Sequence, residues 1–241
     1  MLKMKNYLAI TAVLLYAASA SYGSLIPLGA VPSSGSGLGA VTTLLTFTSP
    51  GSSSSETGCV GAGAGGTVIT GSSVCPSATF AGGNEQAINN VFSTANAGFT
   101  NFSNFQIVFN ASEPGSAQDI TLNNLALTIY SSAGVLQQTH TLASAYVIAN
   151  AFPGVGNAGY GFMLDATEAA QANALLTANP GAVFYIGAAA NATNATGGLE
   201  TIFARTTAAT AAIPEPSTLF MLGSGLVLLS LSSFGRLRSK R

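Results

Sequence analysis

A mainly β fold, a two-sheet antiparallel sandwich with one short inserted helix, is what this sequence of 241 residues predicts. Three observations carry the prediction. From Phe105 onward, apolar and polar residues alternate in short runs, the period of a strand with one face on a core. Clusters of Gly, Asn and Pro separate these runs at fairly regular intervals, as hairpin turns require. One stretch alone, Ala166–Ala178, is rich in Ala, Leu, Gln and Glu while strand formers dominate on both sides, so a single helix is expected among the strands.

In chain order, Met1–Ala20 comes first and reads as a secretory signal. Lys3 and Lys5 form its charged end, Tyr7–Tyr16 its apolar core, and Ala18-Ser19-Ala20 a small-residue cleavage site marked by Ala18 and Ala20. The apolar run is short for a spanning helix and no basic stop-transfer cluster follows it. An ectodomain is expected from Ser21, with residues 21–100 as a Gly/Ser-rich N-terminal part and 101–212 as the sandwich core.

Within the N-terminal part, Val41–Thr48 and Val68–Thr70 have strand character, while Ser33–Gly39 and Ser49–Ser55 read as loops. Cys59 and Cys75 are the only cysteines, and an even pair in an exported chain reads as a disulfide. Closing such a loop contributes ~3 kcal/mol in the chain-entropy description. Two cysteines and one distant histidine are too small a ligand set for zinc, so no metal is expected. Gly61-Ala62-Gly63-Ala64-Gly65-Gly66, with Glu85 further on, has the letters of a dinucleotide fingerprint. That fingerprint needs a helix after it, and here Thr67-Val68-Ile69-Thr70 is β-branched. The segment reads as a flexible loop, and no cofactor is expected.

The strands of the core region follow. Phe105, Ile107 and Phe109 alternate with Gln106, Val108 and Asn110. Ile120 and Leu122 have one parity and Leu125, Leu127 and Ile129 the other, so Asn123-Asn124 is expected to form a bulge or turn. Ser131–Gly134 separates two β-rich runs, which predicts a hairpin of Leu125–Tyr130 with Val135–Leu142 and Gly134 at a positive-φ position. Ala145–Ala149, Tyr160–Leu164, Val183–Ala188 and Leu199–Ala204 supply further strands. The helix should start at Asp165 as its cap, with Glu168 three residues on, and stop at Asn179-Pro180-Gly181.

Charge excludes some partners. Over residues 21–212, seven acids face the single base Arg205, a net charge of −6. A lysine-free acidic body has no electrostatic footprint for nucleic acid or an anionic membrane surface. Chemistry is hard to assign. His140, the sole histidine, shares parity with Leu136 and Leu142 and reads as a hydrogen-bonded strand residue, since neither a nucleophile motif nor an orienting acid can be paired with it. Asp165 and Glu168 suit a helix cap better than a glycosidase pair. Asn101, Asn110, Asn191 and Asn194 each begin an N-x-[ST] triplet, which chance explains in an Asn/Thr-rich chain. No catalytic residue is assigned.

The tail, residues 213–241, is different in kind. Pro214-Glu215-Pro216 is followed by an apolar run from Leu219 to Phe234 and then by Arg236, Arg238, Lys240 and Arg241. As helix, Ser217–Gly235 would measure about 28 Å against a hydrocarbon core of about 30 Å, which is just enough to span. The basic end holds the C-terminus in the cytoplasm and places the body outside. Pro-Glu-Pro fixes two φ angles and presents one carboxylate just outside the membrane. These ordered features resemble the PEP-CTERM sorting signal of Gram-negative, exopolysaccharide-producing bacteria. The resemblance covers residues 214–241 and implies recognition of Pro214, Glu215 and Pro216 by an exosortase in the inner membrane, after passage through the export translocon. It implies transient anchoring, then cleavage near the tripeptide. The expected function is that of an exported surface or extracellular-matrix protein associated with exopolysaccharide in a biofilm or floc. The alternative is a secreted polysaccharide-acting hydrolase whose carboxylate pair the sequence does not name.

Overall fold

A strand forms where alternate residues can be buried, and in the computed structural model of this protein twelve strands form among the described residues. Those residues are 25–31, 41–49, 53–82, 84–86, 88–111, 118–151, 159–195 and 199–207. The strands are β1 (Leu25–Ala30), β2 (Thr42–Phe47), β3 (Ser55–Ala62), β4 (Val68–Thr70), β5 (Phe92–Ser93), β6 (Phe105–Asn110), β7 (Gln118–Ser131), β8 (Leu136–Thr141), β9 (Tyr146–Ala151), β10 (Gly159–Leu164), β11 (Phe184–Thr193) and β12 (Glu200–Thr206). One helix, α1 (Ala166–Ala178), lies between β10 and β11.

The strands pair antiparallel in two sheets. Sheet one runs β1-β10-β6-β12-β2, and sheet two runs β4-β3-β11-β7-β8, with β5 added on β11 and β9 on β7. The sheets share one core. Phe105, Ile107 and Phe109 of β6, Phe162 of β10 and Ile202 of β12 meet Leu122, Leu125, Leu127 and Ile129 of β7 and Ile186 of β11 in a single buried cluster. Each such side chain contributes roughly 1.5–3 kcal/mol when buried. At one end the rings of Phe92 and Phe105 meet edge-on at 5.1 Å and those of Phe99 and Phe102 at 5.2 Å.

The parity change expected at Asn123-Asn124 is a bulge. Asn191 of β11 pairs with Asn124 and the next residue, Ala192, pairs with Leu122, so Asn123 is the extra residue and both Leu122 and Leu125 reach the core. The β7–β8 hairpin forms as expected, with Gly134 at φ 78° and its N–H donating to the Ser131 carbonyl at 2.9 Å. A Cβ there would come within 2.6 Å of the Gly63 backbone, because this turn abuts the β3–β4 connection.

Three expectations are corrected. The glycine-rich stretch is no simple loop: its first two residues, Gly61 and Ala62, end strand β3, and Ala64–Gly66 forms a 3-10 turn. Glycine disguised this strand, yet close packing demands it, since a Cβ on Gly61 would lie 2.5 Å from the Tyr130 hydroxyl. On β6, Val108 and Asn110 were expected opposite the core face, yet both are fully buried, so this strand is covered on two sides. The parity of His140 with Leu136 breaks at a register shift in the β7–β8 pairing, leaving Leu136 exposed and His140 buried.

Asp165 caps α1 as expected, its Oδ1 accepting from the amides of Thr167 at 2.8 Å and Glu168 at 2.9 Å. At the other end the Asn179 amide side chain donates to the Leu175 carbonyl at 2.9 Å, and Gly181 turns the chain at φ 79°. Ala169 and Ala172 are the buried alanines of the helix. Among the described residues no helix is long and apolar enough to cross a membrane. The expected signal and C-terminal helices, with Ala18, Ala20 and residues 213–241, lie outside the described residues, as does the Ser33–Gly39 loop.

The cap yields a stability prediction. Asp165→Ala should lower unfolding stability by about 0.5–2 kcal/mol, while Asp165→Asn, which can still accept both amides, should stay near the parent. Urea unfolding of the two variants measures the difference.

Candidate functional site

Three polar places stand out in a body built mostly of apolar and small residues. The first joins α1 to sheet two. His140 lies opposite Leu127 on the core-facing side of β8, and its Nδ1 meets Glu168 Oε2 from the first turn of the helix. Gln138 Oε1 lies 3.2 Å from the other ring nitrogen, and Gln138 is oriented by its own amide, which donates to the Gln171 carbonyl at 3.2 Å. Both imidazole nitrogens therefore face acceptor oxygens. A cationic ring satisfies both, and a neutral tautomer satisfies one.

Glu168 is thus the orienting acid that the sequence did not offer His140, and it leaves the capping to Asp165 alone. The signal was present in part, because a helix inserted among strands must turn one side of its first turn toward a sheet. The strand it would face was not deducible. His140 is 2% exposed and Glu168 9%, so this is a desolvated pair that clamps helix to sheet.

The second place is the disulfide. Cys59 of β3 and Cys75 are bonded, as expected, with their Cα atoms 5.3 Å apart. Beside them the carboxylate of Glu85 accepts the Cys59 amide through Oε1 at 2.9 Å. Glu85 is carried by a strap along the edge of β2: Gln86 N donates to the Thr46 carbonyl at 2.8 Å and Asn90 N to the Leu44 carbonyl at 3.0 Å. The cystine covers the outer face of sheet two with Phe80, Ala126 and Ala189. Next to it a depression of about 370 Å³ is lined by Ile69, Val74, Tyr130 and Leu136 among others. Burial pushes the Tyr130 phenol up, and its hydroxyl donates to the Val74 carbonyl at 3.4 Å. A smaller hollow of about 150 Å³ lies between Leu25–Pro27 and Leu142–Tyr146. No acid or histidine lines either one.

The third place is an uncharged platform. On the outer face of sheet two, Ser55, Thr193 and Thr121 form one rung across β3, β11 and β7, and Thr57, Asn191 and the bulged Asn123 form the next. Asn123 Nδ2 donates to Asn191 Oδ1 and Thr193 Oγ1, each at 3.0 Å, and Asn191 Nδ2 donates to the Thr79 carbonyl at 2.8 Å. Asn123 and the Ser55–Thr193–Thr121 rung hold their hydroxyl and amide groups at fixed spacing, while Thr79, Gly82 and Asn84 lie against Thr57 and Asn191.

Two acids were missed altogether. Glu56 and Glu200 are 0% exposed and sit opposite core residues, Ala192 and Phe47 respectively, so each faces the space between the sheets. Both are engaged within the protein. Parity pointed to them, since Glu200 alternates with Ile202 and Ala204, and Glu56 with Gly58 and Val60. Of the four N-x-[ST] asparagines, Asn110 is buried, Asn101 accepts the Ser103 amide at 2.8 Å and Asn191 belongs to the platform. Asn194 is exposed, at φ 63°.

Breaking the helix clamp should be costly. His140→Ala or Glu168→Ala alone should destabilise by about 3–5 kcal/mol by stranding a buried polar partner, whereas the double change His140→Phe with Glu168→Leu should recover much of that loss. Equal losses in single and double variants, read by denaturant unfolding, would show that the two groups do not act as a pair.

Comparison with known proteins locates the recognisable signal in the tail. Residues 212–241 match the family model described as the PEP-CTERM protein-sorting motif, so the suspected sorting signal is present and the chain has the mark of an exported exosortase substrate, anchored in the membrane for sorting. No curated protein matches the chain, and no solved structure matches it.

Proposed function

We propose that this chain, exported and sorted through a C-terminal motif that an exosortase reads, is a non-enzymatic surface or extracellular-matrix protein whose body rests among neutral exopolysaccharide. The observation that carries the reading is the motif at residues 212–241, joined to a body with a single base, Arg205, among residues 21–212. An exosortase substrate is released outside the inner membrane, where polysaccharide is the abundant neighbour. Neutral sugars are recognised by hydrogen bonds at fixed spacing rather than by charge. The Ser/Thr/Asn platform supplies such groups, with Asp119 the exposed acid beside it on β7. Basic residues Arg236, Arg238, Lys240 and Arg241 serve the anchoring step only, because they leave with the tail.

Sorting has a direct readout. Protein recovered from the cell surface should end near residues 213–218 by mass spectrometry, and replacing Pro214-Glu215-Pro216 with Ala-Ala-Ala should leave full-length protein in the inner membrane. Intact chain ending at Arg241 at the surface would reject exosortase processing.

The matrix role is tested separately. The released protein should co-sediment with the host's own exopolysaccharide without liberating new reducing ends, and Ser55→Asp with Thr121→Asp should lower retention at least tenfold while the melting temperature holds. Release of reducing ends would replace this reading by that of a polysaccharide hydrolase.

A further inference from the structure

Cys59 Sγ, Cys75 Sγ and a carboxylate oxygen of Glu85 all lie within 4.8 Å of one another. Three different segments bring them together. Cys59 is on β3, locked between β4 and β11 in sheet two. Cys75 follows a turn closed by Val74 N donating to the Gly71 carbonyl at 3.1 Å. Glu85 comes in on the strap along β2, and the absence of a side chain at Gly58 lets it approach, since a Cβ there would meet Glu85 Cγ at 3.2 Å. The carboxylate is aimed by the Cys59 amide, so its place does not depend on the bond between the sulfurs.

From this geometry we infer that the reduced chain holds a thiophilic divalent cation of the zinc class at Cys59, Cys75 and Glu85, and that forming the disulfide erases the site. Two thiolates and a carboxylate are three ligands of the kind zinc takes, with the fourth position open to water. Zinc–sulfur bonds of about 2.3 Å and zinc–oxygen bonds of about 2.0–2.2 Å place tetrahedral ligand atoms about 3.5–3.8 Å apart; the carboxylate oxygen lies within 4.8 Å of both sulfurs, and the sulfurs have to separate to that spacing once their bond is broken. The balance is simple. A dithiol reductant gives two electrons and two protons to the cystine and becomes a disulfide itself. The metal ion then displaces one proton from each thiol, and no further reactant is needed. Oxidation removes both thiolates, so cation and cystine are exclusive occupants of one place. An exported chain meets reducing conditions before oxidising ones, and the cation would keep the two sulfurs adjacent until they are oxidised.

Cobalt(II) is a visible probe of such a site. The full chain, reduced with a dithiol and desalted without oxygen, should bind one Co²⁺ with a thiolate-to-cobalt charge-transfer band that Zn²⁺ abolishes, and the oxidised chain should show no band. Cys75→Ser should lose the band. Glu85→Gln should keep it but weaken affinity at least tenfold, with an unchanged far-ultraviolet circular dichroism spectrum. A reduced chain without the band overturns the inference. So does a Glu85→Gln chain that binds as tightly as the parent, because an unfolded chain offering only its two cysteines would give that result.

Discussion

Strand β11 buries both of its faces because between Gly187 and Ala190 it bears no side chain larger than a methyl group, and much of the architecture depends on that. A Cβ on Gly187 would stand 2.2 Å from the Val60 carbonyl oxygen, so β3 could not pair there with anything bulkier. Ala188 and Ala190 let the inner face accept Leu125 and Leu127 from β7. Ala189 on the outer face leaves room for Cys59, Phe80 and the disulfide-closed loop. The small residues therefore sacrifice side-chain contact within the strand for close approach by both neighbours, and the disulfide keeps the covering loop from lifting away.

The same economy governs charge. A body net of −6 suggests an acidic surface, but Glu56, Glu168 and Glu200 are buried and engaged, and Glu85 is turned toward the cystine. Arg205 lies against Gln106, donating to its Oε1 from Nε at 2.9 Å and from Nη2 at 2.7 Å, and burial lowers its guanidinium pKa. Most of the few charges thus work inside the fold. Solvent meets Ser, Thr, Asn and Gln, whose hydrogen bonding salt does not screen as it screens charge. Such a surface neither repels nor binds ions strongly.

Strand-forming composition between turn signals made β6, β8 and β10 legible as strands, and the parity change at Asn123 betrayed the bulge. The helix was legible from Asp165, Ala-rich composition and Asn179-Pro180-Gly181. What stayed hidden depended on partners distant in the chain. Strand β3 carries Gly58 and Gly61, residues that argue against a strand until the Tyr130 ring and Glu85 are seen to occupy the missing Cβ positions. His140 and Glu168 are 28 positions apart, and their meeting requires the helix to lie against β8. Glu85 joins the cysteines through pairing at the β2 edge, which no local pattern announces. The sorting signal was legible in full because an enzyme that reads an extended peptide needs linear order alone, and no fold has to be known to see it.

Non-local pairing also closes the end of the described body. The last described strand closes against β6, and beyond it Thr207 is held by its amide donating to the Asn104 carbonyl at 2.8 Å and its hydroxyl donating to the same oxygen at 3.3 Å. Asn104 returns the contact, its Nδ2 donating to the Thr207 carbonyl at 3.0 Å. The last described strand is therefore closed by hydrogen bonds within the body, ahead of the matched motif at residues 212–241. The clamp at Thr207 uses only residues of the body, so the last described strand is closed by a partner, Asn104, that lies far back in the chain.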